Sequence, residues 1–163
     1  MKHILVVDDE PMIRDLVASI LHAPDTEVVA VDSVKTAKVE LERREFDLLL
    51  CDVNLKGESG ASLLEYKKVI ESQTAVIVMS GAAGLPIAMD VIHRGAFDFV
   101  AKPFSSQDLC GSVQKAFDRS EGVRREEAGK RELELLVQAR TVELEVALSE
   151  AEHAYDLTIE ALG

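Results

Sequence analysis

The chain has 163 residues, of which 47% are hydrophobic, so it is long enough to bury a core and too apolar to be wholly disordered. Its formal net charge of −12 at pH 7 argues against nucleic acid as a partner, because such a chain repels polyphosphates. It begins directly in an apolar strand and has no apolar run long enough to span a bilayer, so we expect a cytoplasmic protein with no membrane partner.

Short apolar runs, rich in β-branched residues or leucine, alternate along the chain with stretches of helical periodicity. The predicted strands cover residues 3–7, 27–31, 46–52, 75–79 and 97–100. The predicted helices cover residues 11–22, 33–44, 59–71 and 86–93, and a last helix begins at Ser105 or Ser106. Pro11 suits the first turn of its helix, and Ser33 suits an N-cap.

Strands that alternate with helices through short connections form βαβ units with right-handed crossovers. We therefore predict an α/β fold, a doubly wound five-stranded parallel sheet with a long C-terminal helix. In the flavodoxin-like strand order 2-1-3-4-5 the first and third strands are neighbours, so Asp8, Asp9 and Asp52 would converge at one edge of the sheet. Ser80 leaves the fourth strand at that edge, and Lys102 lies just past the fifth.

These convergent side chains have the composition of a phosphoryl-accepting site. Clustered carboxylates repel one another and need a compensating cation, and oxygen-only ligands suit Mg²⁺. A carboxylate beside bound Mg²⁺ is able to accept a phosphoryl group. Lys102 would then pair with one phosphoryl oxygen, and Ser80 would donate a hydrogen bond to another.

In their order and spacing these motifs resemble the receiver (CheY-like) domain of two-component response regulators. The resemblance covers residues 2 to about 119 and includes the acidic pair, the acceptor aspartate and the hydroxyl after the fourth strand. It also includes the Lys-Pro-Phe run at 102–104 and the Gly-Ala-Phe-Asp-Phe run at 95–99. The individual motifs are common, and their shared register over this length is what makes the resemblance specific.

The resemblance implies a role for each acidic residue. Asp52 would accept a phosphoryl group from the phosphohistidine of a sensor histidine kinase or of a phosphotransfer protein. Asp9, Asp52 and the backbone carbonyl of Asn54 would coordinate Mg²⁺, and Asp8 would act on the ion through water. These roles make the chain a signalling protein and not an enzyme, apart from its own phosphorylation and dephosphorylation.

The resemblance also implies roles for residues on the last two strands. Lys102 would contact the phosphate, and its peptide bond to Pro103 would be cis. Ser80 and Phe99 would form a switch pair in which the hydroxyl moves toward the phosphate and the aromatic ring turns inward. The chain departs from the family pattern at Lys56, where proline is common, and at Phe99, where tyrosine is frequent.

The last part of the chain continues the helical pattern beyond a receiver, so we predict a receiver at 1–119 and a helical extension at 120–163. From Leu109 onward, positions that step alternately by four and three residues form a coiled-coil seam, which is apolar at its ends and polar over 127–134. We expect a parallel homodimer, and a solvated, partly frayed helix is the alternative. The dimer contacts would come from Val137, Leu144, Leu148, Ala151, Tyr155 and Leu162.

The extension resembles the linker that enters HD-GYP-type cyclic-di-GMP phosphodiesterases and, less specifically, the helix before histidine-kinase dimerisation domains. The stretches that carry this resemblance are residues 140–144 and 154–163. No HD pair, kinase motif or helix-turn-helix motif occurs in the sequence. We therefore expect the chain to be part of a longer regulator whose output domain lies elsewhere.

Two other function classes stay open at this point. One is a Mg²⁺-dependent phosphatase with an aspartate nucleophile on a related sheet, which would need a second aspartate two residues after the first. That position is Asn54, which disfavours this class. The other is a receiver-like interaction module that is not regulated by phosphorylation, and the complete set of acidic, hydroxyl and lysine residues argues against it.

Overall fold

The computed structural model describes residues 1–70, 73–81 and 85–162, apart from the side chains of residues 69, 85, 158 and 162. The chain divides into two compact units, Met1–Glu121 and Gly122–Gly163. Two predictions fall partly outside the described residues: the end of the third predicted helix at Glu71, and the side chain of Leu162 in the coiled-coil seam.

The elements of the first unit alternate between strand and helix, as the sequence pattern predicts. The strands are β1 (Lys2–Val7), β2 (Thr26–Val31), β3 (Leu48–Asp52), β4 (Asn54–Leu55), β5 (Glu58–Ser59), β6 (Ala75–Ser80) and β7 (Asp98–Ala101). The helices are α1 (Pro11–Ile20), α2 (Val34–Arg43), α3 (Ser62–Val69), α4 (Leu85–His93) and α5 (Ser106–Leu162), of which the last includes residues of both units.

Five strands form one sheet in the order β2-β1-β3-β6-β7, and every neighbouring pair in it is parallel. This confirms the predicted doubly wound, flavodoxin-like α/β fold. The short strands β4 and β5 form a separate antiparallel pair that the sequence analysis does not contain. Because Ser59 belongs to that pair, α3 begins at Ser62, and the predicted helix start at Ser59 is wrong.

The core has two layers, one on each face of the sheet, because side chains alternate along a strand. In β1, Leu5 and Val7 belong to one hydrophobic cluster, and Ile4 and Val6 belong to the other. Every residue of β3 is buried, which explains why its sequence is a continuous apolar run and not an alternating one. The central position of β3 carries its last residue, Asp52, into the middle of one sheet edge.

Local capping sets the ends of several helices. Pro11 lies in the first turn of α1. The Ser33 hydroxyl accepts a hydrogen bond from the Thr36 amide at 3.3 Å and caps α2, as predicted. At the start of α5, the Ser105 hydroxyl accepts from the Asp108 amide, and the Asp108 carboxylate accepts from the Ser105 amide, both at 3.1 Å. Ser105, the first of the two serines considered, is thus the cap.

The second unit consists of the C-terminal part of α5, and its described side chains are exposed. The exposed residues include four of the predicted seam positions, Val137, Leu144, Leu148 and Tyr155. Ala151, another seam position, is exposed as well. A search of the described helices finds none that is both long enough and apolar enough to cross a membrane.

Candidate phosphoryl-accepting site

Two carboxylates meet at the edge of the sheet because their strands are neighbours. β1 pairs with β3 in parallel, with Val7 opposite Cys51, so the next residue of each strand is an aspartate at the same edge. Asp8 is 0% exposed and Asp52 is 5% exposed. Two ionised carboxylates at such depth require a cation between them, because burial without a partner strongly disfavours charge.

Lys102 supplies that cation. Its Nζ donates to Asp8 Oδ2 at 2.6 Å and to Asp52 Oδ2 at 2.7 Å. The side chain is only 11% exposed. The backbone hydrogen bond from the Lys102 amide to the Ser80 carbonyl, at 2.8 Å, ties this lysine to β6. The following bond to Pro103 is cis, as the resemblance implies.

The protonation state of Lys102 follows from a balance of opposing effects. Burial disfavours the charged ammonium, but the hydrogen bonds and the charges of Asp52 and Asp8 outweigh that effect and raise the pKa of Lys102 above its ordinary value. The ammonium is therefore charged at neutral pH. One buried cation is shared by two acids, which leaves this trio with a net charge of −1.

The second oxygen of each buried carboxylate accepts a backbone hydrogen bond. Asp8 Oδ1 accepts from the Glu10 amide at 2.9 Å, and Asp52 Oδ1 accepts from the Asn54 amide at 3.0 Å. Arg14 adds a contact from α1, since its Nη1 donates to the Asp8 carbonyl at 2.7 Å. The Asp52 side chain is thus held at both oxygens, with the Asn54 amide on one and Lys102 Nζ on the other.

The carboxylates that lie together are not all the ones that the sequence predicts as metal ligands. Oxygen atoms of Asp8, Glu10 and Asp52 lie within 4.8 Å of one another. This oxygen-only set fits Mg²⁺, which binds carboxylates and keeps several waters. Asp9 is not in that group, and its Oδ2 lies 3.7 Å from Lys56 Nζ. Sequence reasoning did not assign a role to Glu10, although it continues the acidic run after β1.

The hairpin β4–β5 is held tightly beside the acceptor. The Gly60 amide donates to the Val53 carbonyl at 3.0 Å. A Cβ on Gly60 would lie 1.8 Å from the carbonyl oxygen of Asp52, so only glycine allows this approach. Cys51 is buried in the same place, where its Sγ donates to the Asp52 carbonyl at 3.3 Å and its burial raises the pKa of the thiol well above the ordinary value.

The two residues expected to form a switch lie on neighbouring strands. β6 pairs with β7 so that Ser80 is opposite Ala101 and Val78 is opposite Phe99. Ser80 is fully buried, and its hydroxyl has no hydrogen-bond partner among the described residues. Phe99 is partly buried and packs against the core cluster that contains Val78. An unpaired buried hydroxyl is unusual in a folded protein and calls for a functional explanation.

Sequence analysis did not identify a hydrogen bond between β7, the strand that carries Phe99, and α5. The Asp98 carboxylate accepts from the Phe99 amide at 2.8 Å and also from the hydroxyl of Ser112. Ser112 is a buried polar residue of α5. The polar residue Ser112 within an apolar helical stripe is the signal that could have shown this link.

Comparisons with known proteins agree with this geometry. Residues 4–114 match the family model of the response regulator receiver domain. The transcriptional regulatory protein FixJ of Bradyrhizobium diazoefficiens is 29% identical over 126 residues, which cover 77% of this chain and 62% of FixJ. The nitrogen assimilation regulatory protein NtrX of Azorhizobium caulinodans is 34% identical over 141 residues, which cover 85% of this chain and 30% of NtrX.

The similarity extends to solved structures. The beryllofluoride-activated NtrC4 receiver domain dimer has a TM-score of 0.70 and 27% identity to this chain, and the match covers 74% of this chain and 99% of that one. Against the curated relatives FixJ and NtrX the chain spans less than two thirds of their length.

Proposed function

Because the chain belongs to the family of response regulator receiver domains, whose function is phosphorylation-dependent signalling, we propose that Asp52 is its phosphoryl acceptor. The donor is the phosphohistidine of a sensor histidine kinase or of a phosphotransfer protein in the cytoplasm. An oxygen of Asp52 forms a bond to phosphorus as the bond from phosphorus to the donor imidazole breaks, and the imidazole leaves with the electron pair of that bond.

The observation that carries the proposal is the buried trio of Asp8, Asp52 and Lys102. Asp52 lies at the carboxyl end of the central strand, where α/β sheets bind their ligands. Its two oxygens are oriented by the Asn54 amide and by Lys102, so the nucleophile is positioned before a donor arrives. The charged ammonium of Lys102 stands where negative charge increases on transfer, and it is able to pair with a phosphoryl oxygen.

The acids at this edge also support a role for Mg²⁺. Asp8 and Asp52 belong to the carboxylate cluster and would hold the ion together with Asp9 and the Asn54 carbonyl, and Glu10 is the third member of that cluster. When bound, a divalent cation supplies charge neutralisation to the oxygens of a transferred phosphoryl group.

The signal leaves the site through Ser80 and Phe99 in this proposal. The buried hydroxyl of Ser80 has no partner in the described structure, so it is free to donate to a phosphoryl oxygen on Asp52. Movement of Ser80 opens space behind it on the neighbouring strand for the partly buried ring of Phe99. Phosphorylation adds about −1.5 to −2 charges at one point, and a change of this size biases an existing two-state element.

The C-terminal helix carries the response to a partner copy. The exposed apolar residues Val137, Leu144, Leu148 and Tyr155 follow the steps of a coiled-coil seam, which supports a parallel homodimer. The NtrC4 receiver is named as a dimer in its activated form. The output belongs to a longer protein: a transcriptional function, as FixJ is named for, or the cyclic-di-GMP phosphodiesterase that the linker resemblance implies.

Intact-mass spectrometry after treatment with Mg²⁺ and acetyl phosphate tests the proposal. We expect one added phosphoryl group on the wild type and none on Asp52→Asn. Asp156→Asn, which changes an exposed aspartate in the second unit, is the matched control and should be phosphorylated like the wild type. An unmodified wild type that also fails to bind beryllofluoride would overturn the proposal and favour the interaction module.

A further inference from the structure

We propose that Lys56 lowers the affinity of the acidic site for a divalent cation, because it holds Asp9 in an ion pair that the cation must break. The inference rests on the proposed function, in which Asp9 is a ligand of that cation. It concerns a residue that stands where the family commonly has proline, so the effect is a property of this chain. It assigns Lys56 a tuning role at the site and no part in the transfer itself.

The position of Lys56 is defined by the hairpin beside the acceptor. β4 and β5 pair with Asn54 opposite Ser59, and Lys56 and Gly57 form the connection between them. Gly57 has φ of +83°, in the left-handed region that favours glycine, and allows the chain to reverse next to Lys56. The close approach of Gly60 to Asp52 fixes the base of this hairpin.

Two lysines pair with the carboxylates at the sheet edge, and they differ in burial. Lys102 is buried and bonds to Asp8 and Asp52, so it is a permanent part of the site. Lys56 Nζ lies 3.7 Å from Asp9 Oδ2, and its side chain is 86% exposed. With Glu10 included, four carboxylates at this edge face only these two ammonium groups, so the edge stays acidic. Lys56 is the cation of the two that can leave, because most of its surface is already in water.

This pairing opposes metal binding in two ways. Asp9 cannot bind a cation through the oxygen that faces Lys56 until the ammonium moves away. Any residual time that the ammonium spends near the site adds repulsion toward a divalent ion. Exposed ion pairs have small energies, so we expect a change of about threefold to fivefold in the dissociation constant, and not orders of magnitude.

Calorimetric titration with Mg²⁺, without any phosphodonor, tests the inference. We expect Lys56→Gln to bind Mg²⁺ about threefold to fivefold more tightly than the wild type at low salt. Lys56→Arg retains the charge and should bind like the wild type. Lys35→Gln removes an exposed lysine of α2 and should also leave the affinity unchanged. The advantage of Lys56→Gln should shrink at about 1 M salt, where the screening length is about 3 Å.

The outcomes separate this inference from the proposed function. Equal affinities for Lys56→Gln and the wild type, with acetyl phosphate still modifying both, would overturn the role of Lys56 alone. Tighter binding by Lys56→Arg as well would also overturn it, because the charge would then not be the cause. A wild type that neither binds Mg²⁺ nor accepts a phosphoryl group would overturn both.

Discussion

The two units of this chain use apolar residues in opposite ways. In the unit Met1–Glu121, the leucines of β1 and β3 are buried in two layers, and Leu50 is 0% exposed. In the unit Gly122–Gly163, leucines of the same kind are at the surface, and Leu144 is 70% exposed. The first unit has a core of its own, whereas the described side chains of the second unit are exposed. Apolar content alone therefore does not show whether the leucines of a segment are buried in a core or exposed at the surface.

The largest expected effect is on the first unit. Leu50→Ala removes a fully buried side chain from β3, and we expect it to lower the free energy of unfolding by about 3 to 4 kcal/mol. Urea unfolding followed by circular dichroism would measure this. The same substitution at Leu144 should leave the unfolding midpoint of the first unit unchanged, when it is measured at concentrations at which the chain is monomeric. Equal losses from both variants would break the contrast between the units.

The next effect is on the second unit. Leu144→Asp places a charge in the proposed seam, and we expect the dimer dissociation constant to rise at least about a hundredfold, since a buried unpaired charge opposes association strongly. Sedimentation equilibrium would measure the association, and acetyl phosphate should still modify Asp52 in the variant. Glu143→Asp, an exposed neighbour outside the seam, is the control. A dimer that survives in Leu144→Asp would place the interface elsewhere.

A smaller effect tests the buried lysine of the first unit. Lys102→Met leaves Asp8 and Asp52 without their cation, and we expect the free energy of unfolding at pH 7 to fall by about 2 to 3 kcal/mol. Because the folded pKa of Lys102 is raised above the ordinary value of 10.5, its contribution is fully present below pH 10.5 and is lost as the pH rises through the folded pKa.

Urea unfolding of the wild type and Lys102→Met between pH 8 and pH 12 would show this window. The difference in free energy of unfolding between the two proteins should stay constant to about pH 10 and narrow above it. Lys115→Met, which changes an exposed lysine of α5, should track the wild type at neutral pH. A gap that closes near pH 8 would show that the ammonium is not held by the two acids.

The sequence predicted the fold because its strands are marked by composition. β3 is an unbroken apolar run that ends on one aspartate, and its neighbours carry the other polar groups of the site at the same edge. The strand order then brings Asp8, Asp52 and Lys102 together. The convergence of Asp8 and Asp52 at one edge therefore follows from the predicted strand order, whereas the role of each residue is implied by the family resemblance.

The parts that could not be predicted depend on short elements and on side-chain rotamers. β4 and β5 have two residues each, too few to show a period, so Ser59 was assigned to a helix. The pairing of Asp9 with Lys56 depends on the direction of two side chains across a turn. The bond from Ser112 to Asp98 joins residues of α5 and β7, and the sequence marks only Ser112, as a polar residue in an apolar stripe, and not its partner.

The burial of Cys51 beside Asp52 makes the chain convenient for optical spectroscopy. Cys51 is buried with a raised thiol pKa, so it resists alkylation, whereas Cys110 is exposed at the start of α5. A maleimide dye is therefore directed to Cys110 without removal of any native cysteine. Such a dye would report on the start of α5 during treatment with acetyl phosphate.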